Sequence, residues 1–406
     1  MAIYLDYAAT APMPPVVIDA YAAALRLVGN PSSIHSQGQG ARQVLEEARE
    51  QVAASLGADR VEVTFTGGGT ESVNLAIKGL YWSRVSSADR AVSADRARRD
   101  LTNDIPAGEV STSSTRTRNR IVVPLAEHHA TIEAVEWLAT HEDAVVDWIP
   151  VDSVGRIDLV ALEAALGDDV ALITLLMANN EIGTIQPVAE VAALAAAHGI
   201  PVHVDAIAAY GYLPIDFHAL GVAALSVSAH KIGGPVGVGA LLIARSAVIE
   251  PLVHGGSQQR SRSGTQDAAG AAAFGVAAGL GLHPDTTLRD RLIDGVRAAV
   301  PSAILRGDPM DRLPGNVHFT FPGCEGDSLL FLLDTAGFSV STGSACQAGV
   351  PEASHVLLAL GLDEPTARGA LRFTIGPGTT ADEVDALVAA LPDAVARAQK
   401  AGLAAS

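Results

Sequence analysis

Residues 170–205, VALITLLMANNEIGTIQPVAEVAALAAAHGIPVHVD, carry the pattern that decides the fold. Val170–Leu176 is an unbroken apolar run of the length of one buried central strand. Ala178–Gly183 follows as an asparagine-rich turn. A helix is expected from Pro187 to Ala197, with proline in its first turn and Gly199 just past its end. Pro201–Asp205 returns as a strand. The same alternation extends outward in both directions. Val61–Thr66, Arg120–Pro124 and Ala223–Val227 read as strands, and Ser72–Leu80 as a helix. This argues for an α/β domain with a mostly parallel sheet. In such sheets ligands bind beyond the carboxyl ends of the strands.

Two segments depart from the alternation. Ser83 to Asn119 is rich in Ser, Thr, Arg, Asp and Ala, and reads as a mobile surface insertion with a helical piece in its first half. From about residue 256 the order changes. A helix is expected at Leu288–Val300, a strand at Asn316–Phe321 and a helix at Ser328–Ala336. A strand at Leu371–Ile375 and a closing helix at Ala381–Ala401 follow. The expected division is a large cofactor-binding domain at 13–255, and a smaller α+β domain from 1–12 and 256–406.

The chain has 406 residues, enough for one large and one smaller domain. No apolar run reaches the roughly 18–20 residues that span a membrane. The N-terminus lacks a basic region followed by an apolar one, so no signal peptide and a cytoplasmic location are expected. A net charge of −18 argues against direct nucleic-acid binding, which needs a basic footprint. Two cysteines, Cys324 and Cys346, make no disulfide framework. Only three lysines are present, Lys78, Lys231 and Lys400, so any lysine chemistry comes from one of them.

Ser228-Ala229-His230-Lys231 lies just past an expected strand end, with glycines crowding after it. A lysine is most often a solvated surface group. One that bonds a carbonyl must instead sit at the floor of a cleft, where its amine is neutral. Asp205 ends a strand one connection earlier, as a helix cap or a functional anion. If Lys231 holds pyridoxal phosphate, Asp205 is placed to keep its ring nitrogen protonated. Thr66-Gly67-Gly68-Gly69-Thr70-Glu71-Ser72 offers a helix start with free N–H groups and hydroxyls, as a phosphate needs. His128, in Glu127-His128-His129, follows another strand and suits ring stacking and proton transfer. Asn180 sits in a turn that can orient a cofactor hydroxyl or a substrate carboxylate. Cys346 lies among small and polar residues, as a mobile nucleophile would, whereas Cys324 is expected to be structural. Arg372 projects from a strand and suits bidentate carboxylate recognition. No metal site is expected.

Together these motifs resemble the cysteine desulfurases of the nitrogen-fixation and iron–sulfur-assembly type, within the class V aminotransferases. The resemblance runs from Tyr4-Leu5-Asp6-Tyr7-Ala8-Ala9-Thr10 to Arg372, apart from 83–119. It includes Gly29–Ser33, Gly69–Ser72, Glu127-His128, Asn179–Gly183, Ser228–Lys231, Arg262–Thr265 and Gly343–Cys346. It implies the fold type I of pyridoxal-phosphate transferases, with a mostly parallel seven-stranded sheet in the large domain and a smaller α+β domain carrying the cysteine loop. It implies that Lys231 bonds the cofactor and acts as the base, that Asp205 holds the ring nitrogen, and that His128 stacks on the ring. It gives Gly69, Thr70, Ser228 and His230 to the phosphate, with Thr265 reaching in from the other subunit of a homodimer. Asn180 contacts cofactor or substrate, and Arg372 the carboxylate of L-cysteine. Cys346 takes the sulfur as a persulfide, L-alanine is released, and acceptors in iron–sulfur assembly or tRNA thiolation receive the sulfur directly.

One position departs. Where the family usually has a glutamine three residues after the aspartate, this chain has Ala208. A lost donor to the cofactor's phenolic oxygen implies an altered cofactor pKa and slower turnover. Two readings compete with desulfuration. One is another class V enzyme, an aminotransferase or selenocysteine lyase. The other is a cofactor-free assembly scaffold.

Overall fold

Val170–Leu176 is buried at every position, and the sheet is built around it. The computed structural model describes residues 2–100, 118–282, 286–343 and 353–405. The described strands are, in chain order, β1 (Ile3–Tyr4), β2 (Val63–Thr66), β3 (Arg120–Pro124), β4 (Val145–Ile149), β5 (Val170–Leu176) and β6 (Val202–Asp205). They continue with β7 (Ala224–Ser228), β8 (Gly239–Ile243), β9 (Ile304–Leu305), β10 (Asn316–Thr320), β11 (Phe338–Ser339) and β12 (Ala370–Thr374).

A seven-stranded sheet has the order β2-β8-β7-β6-β5-β3-β4. The β4, β3, β5, β6 and β7 pairings are parallel, and β8 runs antiparallel to both its neighbours. The sheet is therefore mostly parallel, as the sequence implies. Successive side chains on a strand face opposite ways, and each face has its own core. Ile121, Val123 and Leu172 pack with Leu75 and Ile77 on one side. Val122, Ile173 and Leu175 pack with Leu45, Val52 and Phe274 on the other. Register sets Asp205 opposite both Leu176 and Ser226, so the carboxyl ends of the central strands open on one rim.

A three-stranded antiparallel sheet, β12-β10-β9, and the parallel pair β1-β11 follow a second pattern. Their core is Val317, Phe319, Leu371 and Phe373 against Leu292, Leu329 and Leu387. Cys324 is in this cluster, its thiol pushed up to about 11 by burial, which agrees with a structural role.

Many element ends differ from expectation by a few residues, and two of the differences flank the glycine turn. The helix that opens at Gly69 does not stop near Leu80 but runs to Asp100, through the first half of the expected insertion. Residues 101–117, its second half, lie outside the described residues. Residues Val61 and Glu62 belong to a short 3-10 turn, Arg60–Glu62, before β2. The cause is a reciprocal cap in which Glu62 Oε2 accepts from the Asp59 N–H at 2.9 Å. Among the described residues no helix is long and apolar enough to cross a membrane.

Candidate active site

The rim at the ends of β3, β5, β6 and β7 bounds a cavity of about 220 Å³. His128, Asn180, Asp205, Lys231 and Arg372 all line it. These five were singled out from five separate motifs, and the fold brings them together.

Lys231 sits on a 3-10 turn, Ala229–Ile232, that β7 feeds directly. Gly233 ends the turn with φ of +80°, a conformation that a side chain resists. The Lys231 Nζ donates to the carbonyls of Ala8 at 2.5 Å and Ala9 at 3.1 Å. Asp205 terminates β6 and its Oδ1 accepts from the Ile207 N–H at 2.9 Å. Burial raises its pKa to about 6, against the lowering effect of that N–H and of Lys231. A buried carboxyl in this state calls for a cationic N–H partner. His128 caps the helix His129–His141, its Nδ1 accepting from the Ala130 N–H at 3.1 Å. Burial, then the charges of Lys231, His129 and His355, lower its pKa to about 4. Its imidazole is neutral at pH 7, with Nδ1 as the acceptor.

A second cleft adjoins, lined by Gly69, Thr70, Ser228 and His230. The turn before the helix is tight. Gly68 has φ of +134°, and a Cβ on Gly239 would come within 2.7 Å of the Gly68 carbonyl carbon. The Ser228 hydroxyl is buried without a partner among the described residues. Burial, then Lys231, lowers the His230 pKa to about 4. An orphaned hydroxyl beside the start of a long helix fits a phosphate. With Asp205 and Lys231 placed as described, the pocket fits pyridoxal phosphate by its own chemistry.

Arg372, on β12, is 2% exposed. Its Nη2 meets Asp6 Oδ1 at 3.0 Å, and its Nη1 donates to the carbonyls of Asn180 at 2.9 Å and Gly343 at 3.2 Å. Its Nε, and the Asn180 Oδ1, are buried without a partner among the described residues. Ala208 lines the main cavity and also a side chamber of about 20 Å³ shared with Tyr212, Asn316 and Lys231. Thr265 is exposed and lines neither the cavity nor the cleft. Cys346 lies at 344–352, outside the described residues.

Three groups at the site went unassigned in the sequence. Glu127 is 2% exposed and its Oε1 accepts from the Leu176 N–H at 2.9 Å. Burial, then Asp205, raises its pKa well above the ordinary value. Its motif was visible, but nothing local distinguishes it from a loop carboxylate. His355 Nε2 pairs with the Glu127 carbonyl at 2.7 Å. Asp6 sits in a quoted motif, but its partner lies 366 positions away.

The class-V aminotransferase family pattern matches residues 3–95 and 107–387. An IscS-like cysteine desulfurase of Mycobacterium tuberculosis is similar at 49% identity, over 99% of this chain and 98% of that protein. The solved structure of a NifS-like protein is similar at 31% identity with a TM-score of 0.83, over 98% of this chain and 100% of that one. That of SspA in complex with cysteine is similar at 28% identity with a TM-score of 0.76, over 93% of this chain and 100% of that one. The match spans the residues that build both clefts and is broken between residues 95 and 107, inside the helix-extended insertion. The chain belongs to the class-V aminotransferases, among the cysteine desulfurases that its IscS- and NifS-named relatives represent.

Proposed function

We propose that this protein is a pyridoxal-phosphate-dependent cysteine desulfurase. The observation that carries the reading is the convergence of Lys231, Asp205, His128 and Arg372 on one cavity, in a chain of this family. Lys231 would hold the cofactor at its aldehyde carbon and be set free when the substrate's amine takes that place. Asp205 would face the ring nitrogen, His128 the ring, and Asn180 the cofactor's hydroxyl or the substrate. Gly69, Thr70, Ser228 and His230 would hold the phosphate. Bound there, pyridoxal phosphate supplies an electron sink for charge developing at the substrate α-carbon. Lys231 Nζ takes the α-proton of L-cysteine, and Arg372 binds the carboxylate. Cys346, as a thiolate, attacks the substrate sulfur. The carbon–sulfur bond breaks, a sulfur–sulfur bond forms, protons return to the carbon skeleton and L-alanine leaves.

The working form is a homodimer, with Thr265 of the partner subunit completing the phosphate cleft. Exposed apolar side chains support this: Val16, Ile18, Val28 and Ile34 near the N-terminus, and Val236 at the lip of that cleft. Residues 1–12 go with 256–406 in the smaller domain, which β1 pairing with β11 and Leu5 in the second core support. The protein acts in the cytoplasm, and protein acceptors in iron–sulfur assembly or tRNA thiolation take the sulfur.

The test is incubation with L-cysteine, intact-mass analysis and an alanine assay. The expected result is one added sulfur at Cys346 and alanine release. A colourless protein would leave only a scaffold role. Full-rate alanine formation by Cys346→Ala would point to another class V chemistry.

A further inference from the structure

The two cations that an amino-acid substrate must meet, Lys231 and Arg372, come from distant parts of the chain. One short segment touches both. The carbonyls of Ala8 and Ala9 receive the Lys231 Nζ, and the Asp6 carboxylate receives the Arg372 Nη2. The segment is itself pinned. The Ala8 N–H donates to Thr374 Oγ1 at 2.9 Å, two residues from Arg372 on the same strand. The Tyr4 hydroxyl donates to the Asp6 carbonyl at 3.0 Å, and the Ala9 N–H to the same carbonyl at 3.0 Å. Asp6 therefore presents its carboxylate from a fixed backbone.

An arginine side chain has several rotatable bonds and loses freedom when fixed. Here the guanidinium is held from three directions, by Asp6, Asn180 and Gly343, yet its buried Nε meets no acceptor among the described residues. A fork fastened but not saturated is set for an acceptor brought from outside. Of the three holders, only Asp6 acts through a side chain.

We propose that Asp6 is a positioning residue. It fixes the Arg372 fork at the distance from Lys231 at which one α-amino acid meets both. The inference rests on the functional reading above and adds a residue to it. Asp6 is not a competitor for the substrate's carboxylate, but a support that makes the carboxylate's site.

The test is binding of L-alanine to the purified, cofactor-loaded protein, read by the change in cofactor absorbance. Asp6→Ala is expected to weaken L-alanine binding by roughly tenfold or more, since the held pair is charged. Asp6→Asn keeps an acceptor oxygen and is expected to fall between. In an Arg372→Ala background, Asp6→Ala is expected to add almost nothing, because it acts through that group. For L-cysteine turnover the loss falls on KM more than on kcat. Tighter or unchanged binding by Asp6→Ala would overturn the proposal, as would additive losses in the double variant, which a general structural role would give. L-alanine binding requires no sulfur transfer. A wild-type protein that binds L-alanine, but gains no sulfur from L-cysteine, sinks the desulfurase reading and leaves this one standing.

Discussion

The two sheets each bury a histidine beside a charged residue that lines the cavity, and they do it differently. On β6, His203 and Asp205 lie two residues apart and share a face. On the small sheet, His318 of β10 lies directly opposite Arg372 of β12. Both histidines are fully buried, and burial lowers both pKa values to about 3. His203 has a partner for each nitrogen, Thr174 Oγ1 at 2.8 Å and Ser226 Oγ at 2.8 Å, both on neighbouring strands. His318 has a partner for neither among the described residues. The same contrast holds for the charged residues. Asp205 is fixed by its own strand end and the Ile207 N–H. Arg372 is fixed by Asp6, Asn180 and Gly343, from three separate segments. The large sheet prepares its half of the site locally, by register, while the small sheet's half exists only once the whole chain is folded.

The largest effect breaks the comparison at its base. Lys231→Ala is expected to abolish both the cofactor's lysine-bound absorbance and alanine release, because neither remaining lysine lines the site. Arg372→Lys, on the other half, is expected to keep that absorbance. It is expected to raise the KM for L-cysteine roughly ten- to a hundredfold, since a point charge does not replace the fork. Absorbance spectra with steady-state kinetics check both. Loss of absorbance in Arg372→Lys would mean that the halves are not separable.

Stability sharpens the contrast. His203→Leu strands the Thr174 and Ser226 hydroxyls in the core and is expected to cost about 2–4 kcal/mol. His318→Leu removes a ring that has no partner, and is expected to fall within about 1 kcal/mol of the wild type. The acid dependence should be alike. Each histidine has a folded pKa of about 3 against an ordinary 6.5. Between those values the unfolded chain binds the extra proton, so the stabilisation is full above pH 6.5 and is lost as pH falls towards 3. Either substitution therefore flattens the acid limb by about 1.4 kcal/mol per pH unit. Denaturant unfolding at several pH values reads both quantities.

The contrast also accounts for what was legible in the sequence. The strands β3, β5, β6 and β7, with Asp205, Lys231 and the glycine turn, could be read because each signal is local: an apolar run, a punctuating glycine, a residue at a strand end. Of the small sheet's strands, β10 and β12 were found too, within a residue at each end, while the two-residue β9 was not. Arg372 was singled out, but its supports were not, since they lie 29, 192 and 366 positions away. A helical piece was expected in the first half of the 83–119 segment, but not its continuity with the Gly69 helix to Asp100, because the polar, alanine-rich sequence carries no apolar stripe on from Leu80.

The smallest expected change tests the large sheet alone. Ala208 lines the main cavity where relatives are expected to carry a glutamine, and the chamber beside it is bounded by Tyr212, Asn316 and Lys231. Its volume of about 20 Å³ is that of a water rather than of a side chain, so Ala208→Gln must direct its amide into the main cavity. There the amide N–H is expected to donate to the cofactor's phenolic oxygen. A donor favours the ionised oxygen, so the substitution lowers the pH at which the cofactor's absorbance titrates. A net hydrogen bond of about 0.5–1.5 kcal/mol corresponds to a shift of roughly half a unit to one unit. The KM for L-cysteine is expected to stay unchanged, because Arg372 is carried by the small sheet and does not line the chamber beside Ala208. A titration that does not move would mean that the locally prepared half was already complete without the glutamine. A change in KM instead would show the two halves to be coupled through the residues both chambers share, Ala8, Asn180 and Lys231 beside Ala208 itself.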